Sequence, residues 1–178
     1  MMRIHDKHFE LFISSKEIQR RVRQLAAQIN EDYKDKNPLF LSILNGAFIF
    51  TADFFREIKI PAEVSFIKLK SYRKMESSGK VKELLGLEQN IYDRNIIIVE
   101  DIVDTGKTLN HILEEFKNLG VKSIDILTLL HKSDANKMPL TLNYVGFVIP
   151  DDFVVGYGLD YDGYGRNLKD IYKVIEQA

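Results

Sequence analysis

The spacing of hydrophobic residues near the start of the chain is that of an amphipathic helix. Apolar side chains recur at intervals of three and four residues, at Ile18, Val22, Leu25, Ala26 and Ile29. Just before them, Ser14 and Glu17 have the spacing of a capping box, which marks the N-terminus of a helix. The pattern therefore predicts a helix over residues 15–33.

The next segments alternate between strand and helix patterns. The run LFLSIL is almost continuously apolar, which is typical of a buried strand, and it stops at Asn45-Gly46. Residues 47–57 carry several phenylalanines and predict a short helix, and residues 63–69 predict a second strand. Residues 71–82, SYRKMESSGKVK, are polar and contain Ser-Ser-Gly. This loop is either a solvated connection between strands or a lid over an anionic ligand.

The second half of the chain has the order strand, helix, strand. We predict a strand over 96–99, a helix over 107–119 and a strand over 122–130, which together form a βαβ unit with parallel strands and a right-handed crossover. Residues 143–178 are strand-like with many turns. Because we find neither a repeat nor a linker, we predict a single α/β domain over 1–178.

Composition narrows the possible partners. The 178-residue chain has a net charge of -1 and a pI of about 6.4, so it lacks the basic field of a nucleic-acid-binding protein. It contains no cysteine, which fits a reducing compartment. The first ten residues are polar and charged, unlike a secretion signal, and no apolar stretch approaches the length of a membrane span. We therefore expect a soluble, cytoplasmic protein without membrane or nucleic-acid partners.

Candidate chemistry is concentrated in IIIVEDIVDTGKTL, at positions 96–109. Glu100 and Asp101 follow a buried run, at the end of a parallel strand where ligands bind in open α/β sheets. The bland interpretation is a solvated strand end followed by a helix whose N-cap is Asp104 or Thr105. A Walker P-loop is excluded, because the glycine that it needs five residues before G-K-T is Asp101 here.

A phosphate site of another kind is compatible with this loop. Gly106, the neighbouring threonines and the start of a helix would form a nest of N–H groups for a monophosphate. The upstream acids Glu100 and Asp101 suit sugar hydroxyls or hydrated Mg²⁺. A ribose with a 5′-phosphate would place its hydroxyls at the carboxylates and its phosphate in the nest of N–H groups. The stretch therefore indicates a phosphoribosyl site.

Five segments together resemble the type I phosphoribosyltransferase family. They span nearly the full length of the chain and read LSILNGAF, KLKSY, VEDIVDTGKTL, LLHK and VGFVIPDDFVVGYGLDYDGYGR. The last segment is similar to the branch that acts on 6-oxopurines. The resemblance implies a twisted, mostly parallel sheet flanked by helices, with a mobile lid over about 71–82. It also implies a base-binding hood made from the N-terminal segment and about 143–178.

The resemblance also implies roles for individual residues. Glu100 and Asp101 would hold the ribose hydroxyls and serve as metal-binding carboxylates. Asp104 would be the general base at purine N7. The 5′-phosphate would be held by the loop residues Thr105, Gly106, Lys107 and Thr108.

The base and pyrophosphate sites are assigned in the same way. By resemblance, Lys132 would donate to the 6-oxo group, Phe153 would stack on the purine, and Val154 would offer backbone groups to its edge. Asp160 would bind Mg²⁺, and Arg166 would contact pyrophosphate, for which its guanidinium is a bidentate match.

Two further segments complete the predicted site. Ser71 and Tyr72 match the Ser-Tyr pair of the family's lid. Asn45 and Gly46 would bind pyrophosphate through backbone N–H groups. Asn45 departs from the family, which often has lysine there, so a side-chain role for a lysine at this position is in doubt.

The implied reaction is Mg²⁺-dependent transfer of 5-phosphoribosyl from 5-phospho-α-D-ribose 1-diphosphate to hypoxanthine or guanine. The products are IMP or GMP and diphosphate, as in purine salvage, and the resemblance implies a homodimer or homotetramer. A non-catalytic regulator with the same fold is the alternative from another class. An adenine or pyrimidine enzyme is disfavoured by Lys132 and by the segment FVVGYGLDY.

Overall fold

The computed structural model describes residues 1–71, 82–135 and 139–175, with the side chains of 69–71 and 82–85 left aside. In this part of the chain the elements are, in order, β1 (Met2–Ile4), β2 (Lys7–Ile13), α1 (Ser15–Asp32), β3 (Leu39–Leu44), α2 (Phe48–Arg56), β4 (Glu63–Ser71), β5 (Lys82–Leu85), β6 (Asn95–Val103), α3 (Lys107–Asn118), β7 (Ser123–Lys132), β8 (Tyr144–Ile149), β9 (Val154–Val155) and β10 (Ile171–Ile175). The predicted helices and the predicted strands of the βαβ unit are all present.

The larger sheet confirms the predicted α/β class. Its order in the described residues is β5-β4-β3-β6-β7-β8, with five parallel strands and β5 antiparallel at one edge. Side chains alternate between the two faces, as the pleat requires. Phe40 and Ile97 pack with the buried residues of α1 and α2, whereas Leu41 and Ile98 pack in a second cluster with those of α3. Helices therefore cover both faces of the sheet.

The predicted capping box at the start of α1 is confirmed. Ser14 accepts a hydrogen bond from the backbone N–H of Glu17, and the Glu17 carboxylate accepts one from the backbone N–H of Ser14 at 3.1 Å. The buried residues of α1 are the five whose spacing predicted it. The local sequence was sufficient to predict α1 because the capping residues and the spacing of the apolar residues indicate the same helix.

Two local predictions were wrong. Strand β6 does not end at Val99 but continues to Val103, because its parallel pairing with β7 extends to Val103 opposite His131. The N-cap of α3 is Gly106 rather than Asp104 or Thr105. Gly106 has φ of 74°, in the left-handed region that glycine adopts at little cost, and no side-chain cap bond is made there.

A second, antiparallel sheet joins the two ends of the chain. Its order is β1-β2-β10-β9. The sequence analysis predicted no strands at β1 and β2, whose segments mix charged and apolar residues without a regular period. Strand β8 lies within the range 143–178 that was predicted for the hood, yet it belongs to the larger sheet through its pairing with β7.

Partly buried hydrogen bonds attach the C-terminal segment to helices α1 and α2. The hydroxyl of Tyr157 donates to Asp53 of α2 at 2.7 Å, and Gln19 of α1 donates to the same carboxylate. Burial and the Asp53 carboxylate both raise the pKa of Tyr157. The backbone N–H of Ser15 also donates to Asp170, just before β10, at 2.6 Å. The position of the C-terminal segment is therefore fixed relative to α1 and α2.

In the described part of the chain, none of the helices combines the length and apolar character that crossing a bilayer requires.

Candidate active site

A cleft lies at the carboxyl ends of β3, β6 and β7, beneath the segment that contains β9. Its volume is about 320 Å³. Its lining includes Ile102 and Leu159 together with eight predicted site residues, which are Gly46, Asp101, Asp104, Lys132, Phe153, Val154, Asp160 and Arg166. Residues from four separate segments thus meet where an open α/β sheet binds its ligands.

The two adjacent acids have different surroundings. Glu100 is 8% exposed, whereas Asp101 is partly buried and lines the cleft. Burial, and then the neighbouring charge of Asp101, raise the pKa of Glu100 well above its ordinary range. The two carboxyls are in contact, and the hydrogen bond between these side chains also raises the pKa of Glu100. Asp101 is the one of the two that lines the cleft.

The loop after β3 packs directly against Asp101. An ideal Cβ placed on Gly46 would lie 1.5 Å from Oδ2 of Asp101, so only glycine fits there without displacement. The Leu44–Asn45 peptide is cis, and Asn45 is exposed to solvent. The loop thus presents its backbone beside the carboxylate of Asp101.

The phosphate-loop residues surround the start of α3. Asp104, Thr105 and Lys107 are exposed, and Gly106 is buried. Lys107 and Thr108 are the first residues of α3. The unsatisfied N–H groups of a helix N-terminus attract anions, so the local geometry agrees with an anion nest.

A buried lysine and an exposed aromatic ring lie on the hood side of the cleft. Lys132, 9% exposed, forms an ion pair of 2.8 Å with Asp151. Phe153 is 42% exposed, and Val154 is buried. Sequence reasoning assigned no role to Asp151. Its position in the sequence could have indicated the contact. Asp151 comes just after β8, Lys132 is the last residue of β7, and these two strands are parallel neighbours.

A second ion pair also lines the cleft. Arg166 contacts Asp160 at 2.6 Å and donates to the carbonyl of Gly158, also at 2.6 Å. Asp160 accepts a further hydrogen bond from the backbone N–H of Gly163. Both predicted pyrophosphate-side residues are therefore present, and each satisfies the charge of the other.

The predicted metal can be compared with the donors that the site offers. Asp101 and Asp160 line one cleft and supply carboxylate oxygens, the ligands that Mg²⁺ prefers while it retains several waters. Among the described residues, no group of three or more acidic or histidine side chains is gathered as a metal cage. The donor set fits Mg²⁺ held by one or two carboxylates, as is usual beside phosphates.

The side chains of two predicted site residues are not among those that the structure describes. Tyr72 lies outside the described residues, and Ser71 ends β4 with only its backbone described. The predicted lid over 71–82 falls almost entirely outside them as well.

Comparison with known proteins identifies the protein family to which the chain belongs. The sequence model of the family described as "Phosphoribosyl transferase domain" matches residues 14–162. That range includes α1, the whole of the larger sheet and every residue that lines the cleft except Arg166. The chain therefore belongs to the phosphoribosyltransferase family.

Individual relatives identify the branch. Hypoxanthine phosphoribosyltransferase of Buchnera aphidicola subsp. Schizaphis graminum is 45% identical over 95% of this chain and 98% of its own. Hypoxanthine-guanine phosphoribosyltransferase of Bacillus subtilis is 42% identical over 89% of each chain. A crystal structure of a hypoxanthine-guanine phosphoribosyltransferase from Bacillus anthracis, with HEPES in its active site, has a TM-score of 0.86 and 39% identity. It covers 93% of this chain and 98% of that one. Within the family, the protein is an enzyme of the hypoxanthine phosphoribosyltransferase group.

Proposed function

We propose that the enzyme transfers 5-phosphoribosyl from 5-phospho-α-D-ribose 1-diphosphate to N9 of hypoxanthine or guanine, in purine salvage. The names of the Buchnera and Bacillus relatives support this substrate class. The observation that carries the proposal is the single cleft shared by Lys132, Phe153, Asp104, Asp160 and Arg166. Such a cleft offers an aromatic surface, a hydrogen-bond donor, a base and a phosphate-binding cation to one bound ligand.

The sugar phosphate would bind along the end of β6. Asp101 would accept hydrogen bonds from the ribose hydroxyls, and Glu100 lies behind it as a buried acid whose pKa is raised. The 5′-phosphate would bind at the N-terminus of α3, where Gly106 permits the tight turn. The acids then face hydroxyls rather than phosphate oxygens, which avoids direct repulsion between like charges.

Recognition of the base rests on Lys132. Lys132 is a residue only 9% exposed whose ammonium is paired with Asp151, and a 6-oxo group would provide a second acceptor beside that carboxylate. The 6-amino group of adenine would instead place a donor against a donor, a mismatch that enzymes reject strongly. Phe153 would stack on the purine, and the backbone carbonyl of Val154 can accept from the 2-amino group of guanine while tolerating hypoxanthine.

Asp104 would act as the general base at purine N7. Formation of the bond from N9 to C1′ makes the proton on the base more acidic, and the exposed carboxylate of Asp104 lines the same cleft. Replacing Asp104 with Asn should leave sugar-phosphate binding intact and lower kcat by roughly 10² to 10⁴-fold. Unchanged turnover in this variant would contradict the role.

Pyrophosphate release would depend on Asp160 and Arg166. Arg166 offers two N–H groups to phosphate oxygens, and the backbone N–H groups of Asn45 and Gly46 would add further donors. Asp160 and Asp101 would hold Mg²⁺, which when bound stabilises negative charge on the leaving pyrophosphate. Removal of divalent cations with a chelator should abolish turnover, and added Mg²⁺ should restore it.

We further propose that the enzyme is a cytoplasmic homodimer or homotetramer. This proposal rests on the family resemblance, and Phe48 and Phe66, 41% and 43% accessible, are exposed apolar side chains available to such an interface. Sedimentation equilibrium measures the mass directly, and a monomer at micromolar concentration would contradict this assignment.

One spectrophotometric experiment tests the activity. The purified protein is incubated with the activated sugar, Mg²⁺ and one base at a time from hypoxanthine, guanine, xanthine and adenine. We expect nucleotide from hypoxanthine or guanine and none from adenine. Absence of nucleotide with every 6-oxopurine, from a protein that still binds the activated sugar, would instead favour the non-catalytic regulator.

A further inference from the structure

Three aromatic rings form a cluster behind the cleft. Phe153 meets Tyr161 edge to face, with ring centroids 5.6 Å apart and planes at 80°. Phe9, which is fully buried, lies 6.4 Å from each of these rings. Phe153 thus has two aromatic neighbours while 42% of it remains exposed to solvent.

Tyr161 is itself attached to the turn between β1 and β2. Its hydroxyl donates to Asp6 at 2.7 Å, across 155 positions of sequence. The ring of His5 meets that of Tyr161 edge-on at 5.8 Å, and the ammonium of Lys7 lies 5.7 Å from the centroid of Tyr161. Three consecutive residues, two in the turn and Lys7 at the start of β2, therefore contact a single tyrosine.

The backbone of Tyr161 is fixed as well. Its N–H donates to the carbonyl of Tyr164 at 2.9 Å, and Tyr164 returns a hydrogen bond at 3.1 Å. The preceding residue, Asp160, pairs with Arg166 in the cleft. Tyr161 therefore cannot move far without breaking contacts on both its side chain and its main chain.

An edge-to-face contact restricts the ring that it touches. The positive edge of one ring sits over the negative face of the other, so the pair resists rotation of either ring. Because a stacked ligand needs a flat face at a defined angle, loss of the support would widen the range of orientations open to Phe153. Ordering that side chain at binding then costs conformational entropy.

We propose that Tyr161, held by Asp6, is a positioning residue that orients Phe153 for the purine base. This inference rests on the proposed function, in which Phe153 stacks on a 6-oxopurine. Tyr161 acts through Phe153 and contacts the base only by way of that ring. The turn between β1 and β2 thereby contributes to base affinity although it lies outside the lining of the cleft.

Steady-state kinetics of the full-length enzyme test the proposal. Tyr161→Phe keeps the ring and removes the hydrogen bond to Asp6, so the KM for hypoxanthine should rise by about 2- to 10-fold. Tyr161→Leu also removes the edge-to-face contact and should raise that KM further. For Tyr161→Phe, the KM for the activated sugar should stay within about 2-fold, because its proposed contacts are elsewhere.

A double-mutant cycle separates positioning from general damage. Asp6→Ala should reproduce the effect of Tyr161→Phe, and the double variant should be no worse than either single change, because both remove one interaction. Tyr164→Phe is the matched control: its ring packs on His5 at 4.7 Å, and we expect wild-type constants.

The outcomes distinguish this inference from the proposed function. If the wild-type protein formed no nucleotide from any 6-oxopurine, the proposed function itself would be refuted. An active wild-type enzyme whose Tyr161→Phe and Asp6→Ala variants keep the hypoxanthine KM would overturn the positioning role alone. Additive effects in the cycle, or equal rises in both Michaelis constants, would also overturn it.

Discussion

Replacing Gly46 with alanine tests the close approach of the loop after β3 to the acid of β6. The new Cβ would lie 1.5 Å from Oδ2 of Asp101 and 2.5 Å from its Cγ. Ordinary contacts begin at 3.4 Å, so the Asp101 carboxylate must turn away or the loop must shift until the two groups are about 2 Å further apart. Gly46 does not have positive φ, so the effect comes from the added methyl group rather than from backbone strain.

The magnitude follows from that displacement. Asp101 is the proposed ribose contact and Gly46 the proposed pyrophosphate contact, so the substitution moves two parts of one binding site. Since a misplacement of 1 Å can lower a rate about 10²-fold, we expect kcat/KM for the activated sugar to fall by at least that factor. Overpacking should also lower the free energy of unfolding by roughly 1–3 kcal/mol.

The assay measures IMP formation at saturating hypoxanthine while the activated sugar is varied. Gly163→Ala is the control. An ideal Cβ at Gly163 meets nothing within 4 Å, although φ is +83° there. This control variant carries a left-handed alanine, which costs about 1–2 kcal/mol of stability, and keeps its backbone N–H bond to Asp160. We expect its kcat/KM to remain near the wild-type value.

A folded Gly46→Ala enzyme with kcat/KM within about 3-fold of wild type would refute the reasoning, because a 10²-fold loss corresponds to about 2.7 kcal/mol of transition-state stabilisation. Circular dichroism and a thermal melt establish that the variant is folded. If Gly163→Ala lost as much activity as Gly46→Ala, contact with Asp101 would no longer explain the loss.

Three further predictions concern charge and stability. Lys132→Met should reduce kcat/KM for hypoxanthine by about 10²-fold or more and weaken discrimination against adenine, as competition assays with both bases would measure. Glu100→Gln should raise the melting temperature of the ligand-free enzyme at pH 7.5. The raised pKa of Glu100 makes wild-type stability fall as pH increases from its ordinary 4.5 towards the raised value, so the difference should vanish below pH 4.5. Arg21→Ala removes hydrogen bonds of 2.9 and 2.7 Å to two carbonyls of β8, and denaturant titration should show a loss of about 1–3 kcal/mol without a change in kcat.

Elements with a strong local signal were predictable from the sequence. Helix α1 has a capping box and an apolar stripe, and the βαβ unit has an apolar run, an amphipathic helix and a second apolar run. These features depend only on neighbours within a few residues. The parallel pairing followed because a helix that joins two strands returns the chain to the end of the sheet where the first strand began.

Features that depend on distant partners were not predictable. Strand β6 continues through Glu100 and Asp101 because it pairs with β7 there. The two acidic residues alone had indicated that the strand ends at Val99. Strand β2 exists because β10 pairs with it from the far end of the chain. Both cases show tertiary pairing overriding the local pattern.

The candidate site also has features that the sequence predicted and features that it did not. Motif resemblance predicted eight of the ten residues that line the cleft, but not Ile102 and Leu159, and other predicted residues, such as Glu100 and Asn45, are not part of that lining. It did not predict that Lys132 pairs with Asp151, or that Tyr161 bonds to Asp6. These contacts join segments that are separated in sequence, and only the folded chain brings them within hydrogen-bond distance.

The ion pair between Asp160 and Arg166 has a thermodynamic consequence for ligand binding. An anion alone draws Arg166 away and leaves the carboxylate of Asp160 without its 2.6 Å partner. A cation alone would draw Asp160 away and leave the guanidinium with only its hydrogen bond to the carbonyl of Gly158. A ligand that brings both signs satisfies both side chains at once, so the cation and the anion each raise the affinity for the other, and by the same factor. The pair therefore favours ligands that arrive with their own counter-ion over free phosphate or free metal.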